Sequence, residues 1–447
     1  MQPSVRKKSW MNRFIDTIEY WGNKLPHPFI LFGMLVVITL IGSWILSQAG
    51  CSITYMAASR TPGEPEKEVT IAVTNLLSGE NLRYLITKYP DIFIGYPPMK
   101  LVLVMMAATA FIEKTGFFGT FMKKYLLRAP RSLVTFAVVF VGVNSNLMSD
   151  AGTLFALTMG GIIFAALGRN PLIGVILGWA SSSGGFTANL FLAGTDALLA
   201  GITEGVVKEM GVAVDINPAM NYFFMASATF FLSVTLTLFT EKVVCRMVGD
   251  GDGKVNMALL EEHKLTADQE KGLRWAFYGF LFFLAVMAAL TVPSWAILRN
   301  AKGGFLPKSP FFAGIITLIA FFFVSTGLPY GVATGEIKKW KDIPRLVSAG
   351  LREAIPLLTT TMMAAVFIDM MNKSNIFKMV AVAGAEALRG ANIGLLPLCL
   401  MIIVVTTIIN PFMTSGSSKW LIIAPMIVPM FTCLLYTSPS PRDKRQS

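Results

Sequence analysis

Charge is scarce in this sequence: Asp, Glu, Lys and Arg make up 14% of its 447 residues, where a soluble domain carries about a quarter. A chain so poor in charge cannot clothe itself in solvated side chains, so much of it must lie where charge is costly. Histidine is nearly absent, with only His27 at a helix entrance and His263 in a polar loop. That speaks against a histidine-based catalytic or metal centre. The four cysteines, Cys51, Cys245, Cys399 and Cys433, show no CxxC and no other metal-ligand spacing. A basic stripe interleaved with surface aromatics is also missing, so the net charge of +12 marks loops rather than a nucleic-acid surface.

Apolar residues are abundant instead, at 54%, and the mean hydropathy is +0.61. The run 29–46 and, with their flanks, the runs 275–289, 311–324 and 357–370 reach the roughly 20 residues that a helix needs to cross a bilayer. The first run follows Arg6, Lys7, Lys8 and Arg13 and lacks a small-residue cleavage site, so it reads as a transmembrane helix with a cytoplasmic N-terminus rather than a signal peptide. Lys and Arg divide 22 to 11 between the segments assigned inside (1–26, 114–131 with Arg169, 241–274, 328–352) and those assigned outside (49–96, 204–216, 298–309, 372–391). This bias obeys the positive-inside rule. It does so only if residues 132–168 and 393–431 each enter and leave on one side.

Those two segments have the composition of re-entrant hairpins. Each is an apolar run broken by a small, polar stretch, Asn144-Ser-Asn-Leu-Met-Ser-Asp-Ala-Gly-Thr153 in one and Asn410-Pro-Phe-Met-Thr-Ser-Gly-Ser-Ser-Lys419 in the other. Irregular backbone at membrane depth is tolerated only where protein or a water-filled cavity satisfies it, and broken helices of this kind are common in transporters. The halves also echo each other. Met105-Met-Ala-Ala-Thr-Ala-Phe-Ile-Glu113 parallels Met362-Met-Ala-Ala-Val-Phe-Ile-Asp369, and Asn146, Gly152, Thr153 and Leu157 match Asn410, Gly416, Ser417 and Leu421 at equal spacing. By the loop count the hairpins enter from opposite sides, which makes an inverted repeat.

The expected fold is therefore an all-α polytopic membrane protein, an inverted-repeat secondary transporter with two re-entrant helical hairpins and discontinuous transmembrane helices. Its transmembrane domain covers 1–431, with repeat one at about 97–240 and repeat two at about 354–431. Ser181-Ser-Ser-Gly-Gly185 falls inside an apolar span, which a continuous helix accommodates poorly, and Asn217-Pro218 is expected to open the next span with Pro in its first turn. From Thr432 the sequence turns abruptly polar. Residues 432–447 read as a non-native read-through tail that truncates repeat two before its own broken helix and closing helix.

Few residues can carry chemistry. Asp196 is a carboxylate within a span, where charge usually lines a cavity or relay, although an N-cap would also explain it. Asp150 stands before an apolar helix, where capping and attraction of an anionic substrate to the helix N-terminus coincide. Asn144, Asn146 and Asn410 offer amide oxygens to a coupling Na⁺, or simply form turns. Ser417 and Ser418 suit a carboxylate, and Trp420 suits an aromatic ring or serves as an interfacial anchor. Lys419 either snorkels or pairs with a carboxylate. Gly185 and Asn189 complete the substrate-binding candidates from the broken helix. Glu113 and Asp369, near helix ends, read as solvated. The acidic loop from Asp250 fails as an EF-hand, with Val255 where Gly is needed, and reads as a cytoplasmic linker.

The assembled pattern resembles the p-aminobenzoyl-glutamate transporter (AbgT) family over residues 10–431. It is carried by Ser149-Asp-Ala-Gly152, Gly184-Gly-Phe-Thr-Ala-Asn-Leu190, Gly194-Thr-Asp196-Ala-Leu-Leu-Ala-Gly201, Asn217-Pro218 with Asn221-Tyr222, and Asn410-Pro411 with Ser415-Gly-Ser-Ser-Lys-Trp420. The resemblance implies a homodimer in the bacterial inner membrane, nine transmembrane helices and two opposed hairpins per subunit. It also implies movement of p-aminobenzoyl-glutamate, related folate-pathway aromatic acids or sulfonamide-type antimetabolites, coupled to H⁺ or Na⁺ and without any other cofactor. The family's substrate site maps onto Asp196, Ser417 and Trp420. Its Arg and Asp on the second broken helix have no counterpart, since Arg442 and Asp443 lie in the tail. A channel, or a transporter of another small organic anion, is the alternative. An intramembrane enzyme lacks a nucleophile–base or dicarboxylate pair.

Overall fold

A backbone that leaves water must satisfy its own N–H and C=O groups, and the apolar runs do so as helices. The computed structural model describes residues 26–57, 67–209, 216–305, 309–390, 395–410 and 416–437, with Tyr20 and Lys24. In chain order the longer elements begin with α1 (Pro28–Gln48), β1 (Ser52–Ala57), β2 (Lys67–Ala72), α2 (Gly79–Gly95), α3 (Pro97–Lys114) and α4 (Phe117–Arg128). Next come α5 (Val134–Asn144), α6 (Ser149–Ala166), α7 (Pro171–Gly184), α8 (Gly194–Glu209), α9 (Tyr222–Phe239) and α10 (Ala267–Thr291). The chain continues through α11 (Ile315–Thr334), α12 (Asp342–Glu353), α13 (Ile355–Lys373), α14 (Ile376–Gly390), α15 (Leu395–Ile409) and α16 (Gly416–Thr437). Among the described residues six helical stretches are long and apolar enough to cross a membrane: α1, Arg131–Met148, Tyr222–Val248, α10, α11 and α13. A seventh span forms if α3 and α4, bent by 56°, count as one. This is a multi-pass membrane protein. Residues 411–415 and 438–447, on which the second hairpin's tip and most of the expected tail fall, lie outside the described residues.

The chain divides into two units, one of Met1–Met99, Ile202–Asp215 and Pro356–Ser447, the other of Lys100–Gly201 and Ile216–Ile355. In the first, the Phe32 ring packs on Phe367 and Phe367 on Phe377, each pair with centroids 5.9 Å apart. One departure from an all-helical chain appears here. Strands β1 and β2 pair antiparallel, Thr54 facing Thr70 with their hydroxyls 2.8 Å apart. The β-branched runs Ile53-Thr54 and Val69-Thr70-Ile71 favour it. The ribbon is tied to the turn after α13, where Asn375 adopts a left-handed φ of 62° and donates from Nδ2 to Ala72 O at 3.1 Å.

The second unit is organised by glycine. Between α6 and α7 a Cβ on Gly174 would lie 2.2 Å from Gly160 O, and one on Gly178 would lie 2.3 Å from Ala156 O. The pairing of rising with falling numbers makes these helices antiparallel, with their backbones in direct contact, the close approach that small residues permit between membrane helices. Helix α5 runs parallel to α7, because Gly142 meets Ser181 at one end and Thr135 meets Arg169 at the other. Consequently α5 and α6 form a hairpin whose two ends return to one place, with its tip at Ser145–Met148.

Arg169 closes that base. Its Nη1 donates to Thr135 Oγ1 at 2.7 Å and lies 2.9 Å from Glu241 Oε1, and its Nε donates to Asp250 Oδ1 at 2.8 Å. Its guanidinium lies 4.5 Å from the centre of the Phe164 ring. Burial opposes the charge, but the bonds to Asp250 and Glu241 outweigh it and hold the Arg169 pKa above the ordinary arginine value. Glu241, Cys245 and Asp250 converge closely enough to ligate a metal, yet the cation they share is this guanidinium. The loop from Asp250 is therefore no free linker: Asp250 O accepts from Asn170 N at 3.0 Å, and Gly253 N donates to Gly168 O at 2.9 Å.

Three further expectations are corrected. Pro218 does not enter the helix after it. Asn217 Oδ1 accepts from Ala219 N at 3.0 Å in a side-chain-closed turn, and α9 starts at Tyr222. Glu113 is not solvated: its side chain is 6% exposed, 3.5 Å from Lys114 Nζ. Asp369 is half-buried and accepts from the Tyr84 hydroxyl at 3.3 Å.

Two substitutions test this packing. Gly174→Ala should destabilise the protein by about 1–3 kcal/mol through overpacking, whereas Gly184→Ala, where a Cβ would meet nothing within 4 Å, should not. Thermal unfolding in detergent reads both. Arg169→Ala should cost on the order of 2 kcal/mol, less than a fully buried pair, because Glu241 and Asp250 are 42% and 45% exposed.

Candidate functional site

The tip of the first hairpin is sewn to the end of the broken helix. Helix α7 carries Ser181 and Ser182 to its last turn and stops at Gly184, and the chain resumes as α8 at Gly194. The carbonyls exposed by this break meet Asn146, whose Nδ2 donates to Gly185 O at 2.9 Å and to Ser182 O and Val143 O at 3.2 Å each. Ser182 Oγ accepts from Ser145 Oγ at 3.0 Å and lies 2.8 Å from Thr153 Oγ1. Asn144 Oδ1 accepts from Leu190 N at 3.0 Å. Gly185 is glycine for a steric reason, since a Cβ there would sit 2.8 Å from both Ser181 O and Val143 Cγ1.

Of the sequence-derived candidates of this unit, Asn144, Asn146 and Gly185 thus lie along one hydrogen-bonded seam. Asn189 is fully buried, and its amide nitrogen faces Val143 O and Ala188 O at 3.2 Å each. It braces the break. Asp196, 7% exposed in the first turn of α8, accepts through Oδ2 from Ala193 N at 2.7 Å. It therefore latches the linker onto the helix start, at the positive end of the helix dipole. The buried Thr195 hydroxyl beside it has no partner among the described residues. Asp150 is the second residue of α6, and its side chain lies outside the described residues.

The second hairpin's candidates belong to the other unit. Helix α16 begins at Gly416, so Ser417 and Ser418 fall in a first turn whose backbone N–H groups have no acceptor within the helix. Ser418 is buried, and Ser417 and Trp420 are half-buried. Trp420 Nε1 donates to Thr203 Oγ1 at 3.1 Å, which fixes the plane of the indole. Lys419 Nζ donates to Asn410 Oδ1, so the amide oxygen expected to face a coupling ion faces an ammonium instead. Thr203 was not among the sequence candidates, and nothing in the sequence marks it, being a lone hydroxyl in Ile202-Thr-Glu204. Arg169 was read only as a loop charge.

Comparison with known proteins agrees with this architecture. Residues 13–441 match the model of the AbgT putative transporter family. The chain is 31% identical over 431 residues to the p-aminobenzoyl-glutamate transport protein of Escherichia coli (strain K12), covering 96% of this chain and 82% of that protein. Among solved structures it is similar to MtrF of Neisseria gonorrhoeae, described as illuminating a class of antimetabolite efflux pumps, at 31% identity and a TM-score of 0.87, with 94% of this chain and 84% of that one covered. The Alcanivorax borkumensis YdaH transporter, whose topology is described as unusual, matches at 28% identity and a TM-score of 0.82, with 92% and 84% covered. These relatives are transporters, not enzymes.

Asn146 and Asn410 should respond differently to the same change. Asn146→Asp turns a carboxylate toward three carbonyl oxygens and should lower the midpoint of thermal unfolding, by the equivalent of about 1–3 kcal/mol. Asn410→Asp faces Lys419 and should leave the midpoint unchanged or raised.

Proposed function

The chain belongs to the AbgT transporter family, and from that premise we propose that it moves p-aminobenzoyl-glutamate or a related folate-pathway aromatic acid across the bacterial inner membrane by ion-coupled alternating access. The observation that carries this reading is the start of α16, where Trp420 is held by Thr203 beside Ser417 and Ser418. A dianionic aromatic amide needs a flat apolar surface for its ring and N–H or O–H donors for its carboxylates. Trp420 supplies the first, and the Ser417 and Ser418 hydroxyls at the N-terminal, positive end of α16 supply the second. The E. coli relative is named for this substrate and the gonococcal one for antimetabolite efflux, so sulfonamide-type antimetabolites fall within the same class.

Asp196, Gly185 and Asn189 enter this reading as residues that shape the broken helix. The coupling ion, H⁺ or Na⁺, is assigned to the first hairpin tip, where Asn146 has its nitrogen committed and its Oδ1 without a donor among the described residues. The hairpins enter from opposite sides with the N-terminus in the cytoplasm, and the protein acts as a homodimer. The charge bias of the loops and the common base of the α5–α6 hairpin at Arg169 support the orientation.

Trp420→Ala should weaken binding of labelled p-aminobenzoyl-glutamate about tenfold, and Thr203→Val should weaken it less. Trp340→Ala, 85% exposed, should leave it unchanged. Unaltered affinity in Trp420→Ala would overturn the assignment. Uptake into proteoliposomes under separately imposed proton and sodium gradients identifies the coupling ion.

A further inference from the structure

A cavity of about 300 Å³ lies within the first unit, against α2, and none of the hairpin-tip candidates lines it. Volumes from about 300 Å³ upward are typical of small-molecule sites. Its walls include Tyr84, Lys88, Tyr96, Gly205 and Asp369. From Tyr84 to Gly95 the helix spans about 16 Å at 1.5 Å per residue, so the opening is a slot along α2.

Three observations distinguish this slot from an accidental gap. Tyr96 is 6% exposed, and its hydroxyl has no hydrogen-bond partner among the described residues. An unmade bond on a buried polar group costs about 1–3 kcal/mol, which a ligand supplying an acceptor would recover. Second, one wall is bare backbone: a Cβ on Gly205 would lie 3.2 Å from Tyr96 Cε2, tighter than ordinary contact, so the ring edge comes close to the glycine. Third, charges of both signs border the space. Asp369 accepts from Tyr84 at 3.3 Å, while Lys88 lies 3.0 Å from Asp91 at an exposed rim. Lys373 Nζ sits 3.8 Å from the centre of the Tyr84 ring.

This chemistry selects the occupant. The lysines disfavour a bare metal cation, the carboxylates disfavour a simple anion, and the flat tyrosine and glycine walls favour a planar ring. We propose that the slot is a second ligand site, taking an aromatic amino-carboxylate whose amino group donates to Asp369 and whose carboxylate accepts from Tyr96 and Lys88. The aromatic class rests on the transport reading above, whereas the place and polarity of the site do not. Its segments 49–96 and 204–216 are those assigned outside by the charge count, so the slot receives ligand from the outer side.

Equilibrium dialysis of labelled p-aminobenzoate against the purified full chain in detergent tests this. Two sites per chain are expected. Tyr96→Phe keeps the ring and should weaken one site about three- to tenfold with an unchanged unfolding midpoint. Gly205→Leu should abolish that site, and Trp420→Ala should affect only the other. A single site that Trp420→Ala removes and Tyr96→Phe leaves intact would overturn the second site while sustaining the transport reading. Binding lost in Tyr96→Phe but untouched in Trp420→Ala would sustain the slot and overturn the hairpin-tip assignment. Two isotherms indifferent to both Tyr96→Phe and Gly205→Leu would also overturn the slot.

Discussion

A helix that stops within a packed interior leaves its last carbonyls in need of a donor, and in this protein the side-chain nitrogen of Asn146 is what meets them. Every other feature of the first hairpin follows from that requirement. The amide must reach Ser182 O and Gly185 O, so the tip must lie against the end of α7. For the tip to lie there, the limbs must approach α7 closely, which needs glycine at 142, 160, 174 and 178. The backbone polarity that membranes forbid is thus handled by one short side chain on a hairpin, and the hairpin is positioned by the absence of side chains elsewhere.

Several polar residues that invited functional readings turn out to hold local structure as well. Asp196 accepts from the linker amide of Ala193, Asn410 accepts from Lys419, and Asn189 turns its nitrogen to two carbonyls. His27 caps α1 through Nδ1, and His263 contacts Leu259 O one turn back. This does not empty the site. In the proposed function the binding groups must be held in place when no substrate is present, and the bond from Trp420 to Thr203 would do that for the indole.

Much of this was legible in the sequence, for identifiable reasons. Apolar length gave the spans, and the small polar interruptions at Ser145–Met148 and Gly185 gave the hairpin tip and the broken helix. The loop charges point to entry and exit of 132–168 on one side of the membrane, and the structure brings the two ends of the α5–α6 hairpin together through Arg169 and Thr135. Other features carried no local signal. Arg169 looks like any loop arginine until Glu241 and Asp250, far along the chain, arrive beside it. Thr203 gains meaning only through Trp420. Nearness to a helix end does not mean exposure: the Glu113 side chain is 6% exposed, and Tyr84 of α2 reaches Asp369. The β1–β2 ribbon leaves little trace in the sequence, because a strand pattern over six residues is faint beside long apolar runs.

The seam between α6 and α7 bears on how the protein moves. Helices that meet through interlocking side chains can slide, since rotamers change to absorb a small displacement. Gly160 and Gly174 leave no side chains to readjust, and the peptide planes themselves abut. Sliding one helix past the other would drive carbonyl oxygen into Cα, so the pair is stiff against shear. Any tilt imposed on α7 is passed undiminished to α6, and through it to the tip bearing Asn146. The two helices form a single rigid lever, with its fulcrum where Arg169 gathers the ends.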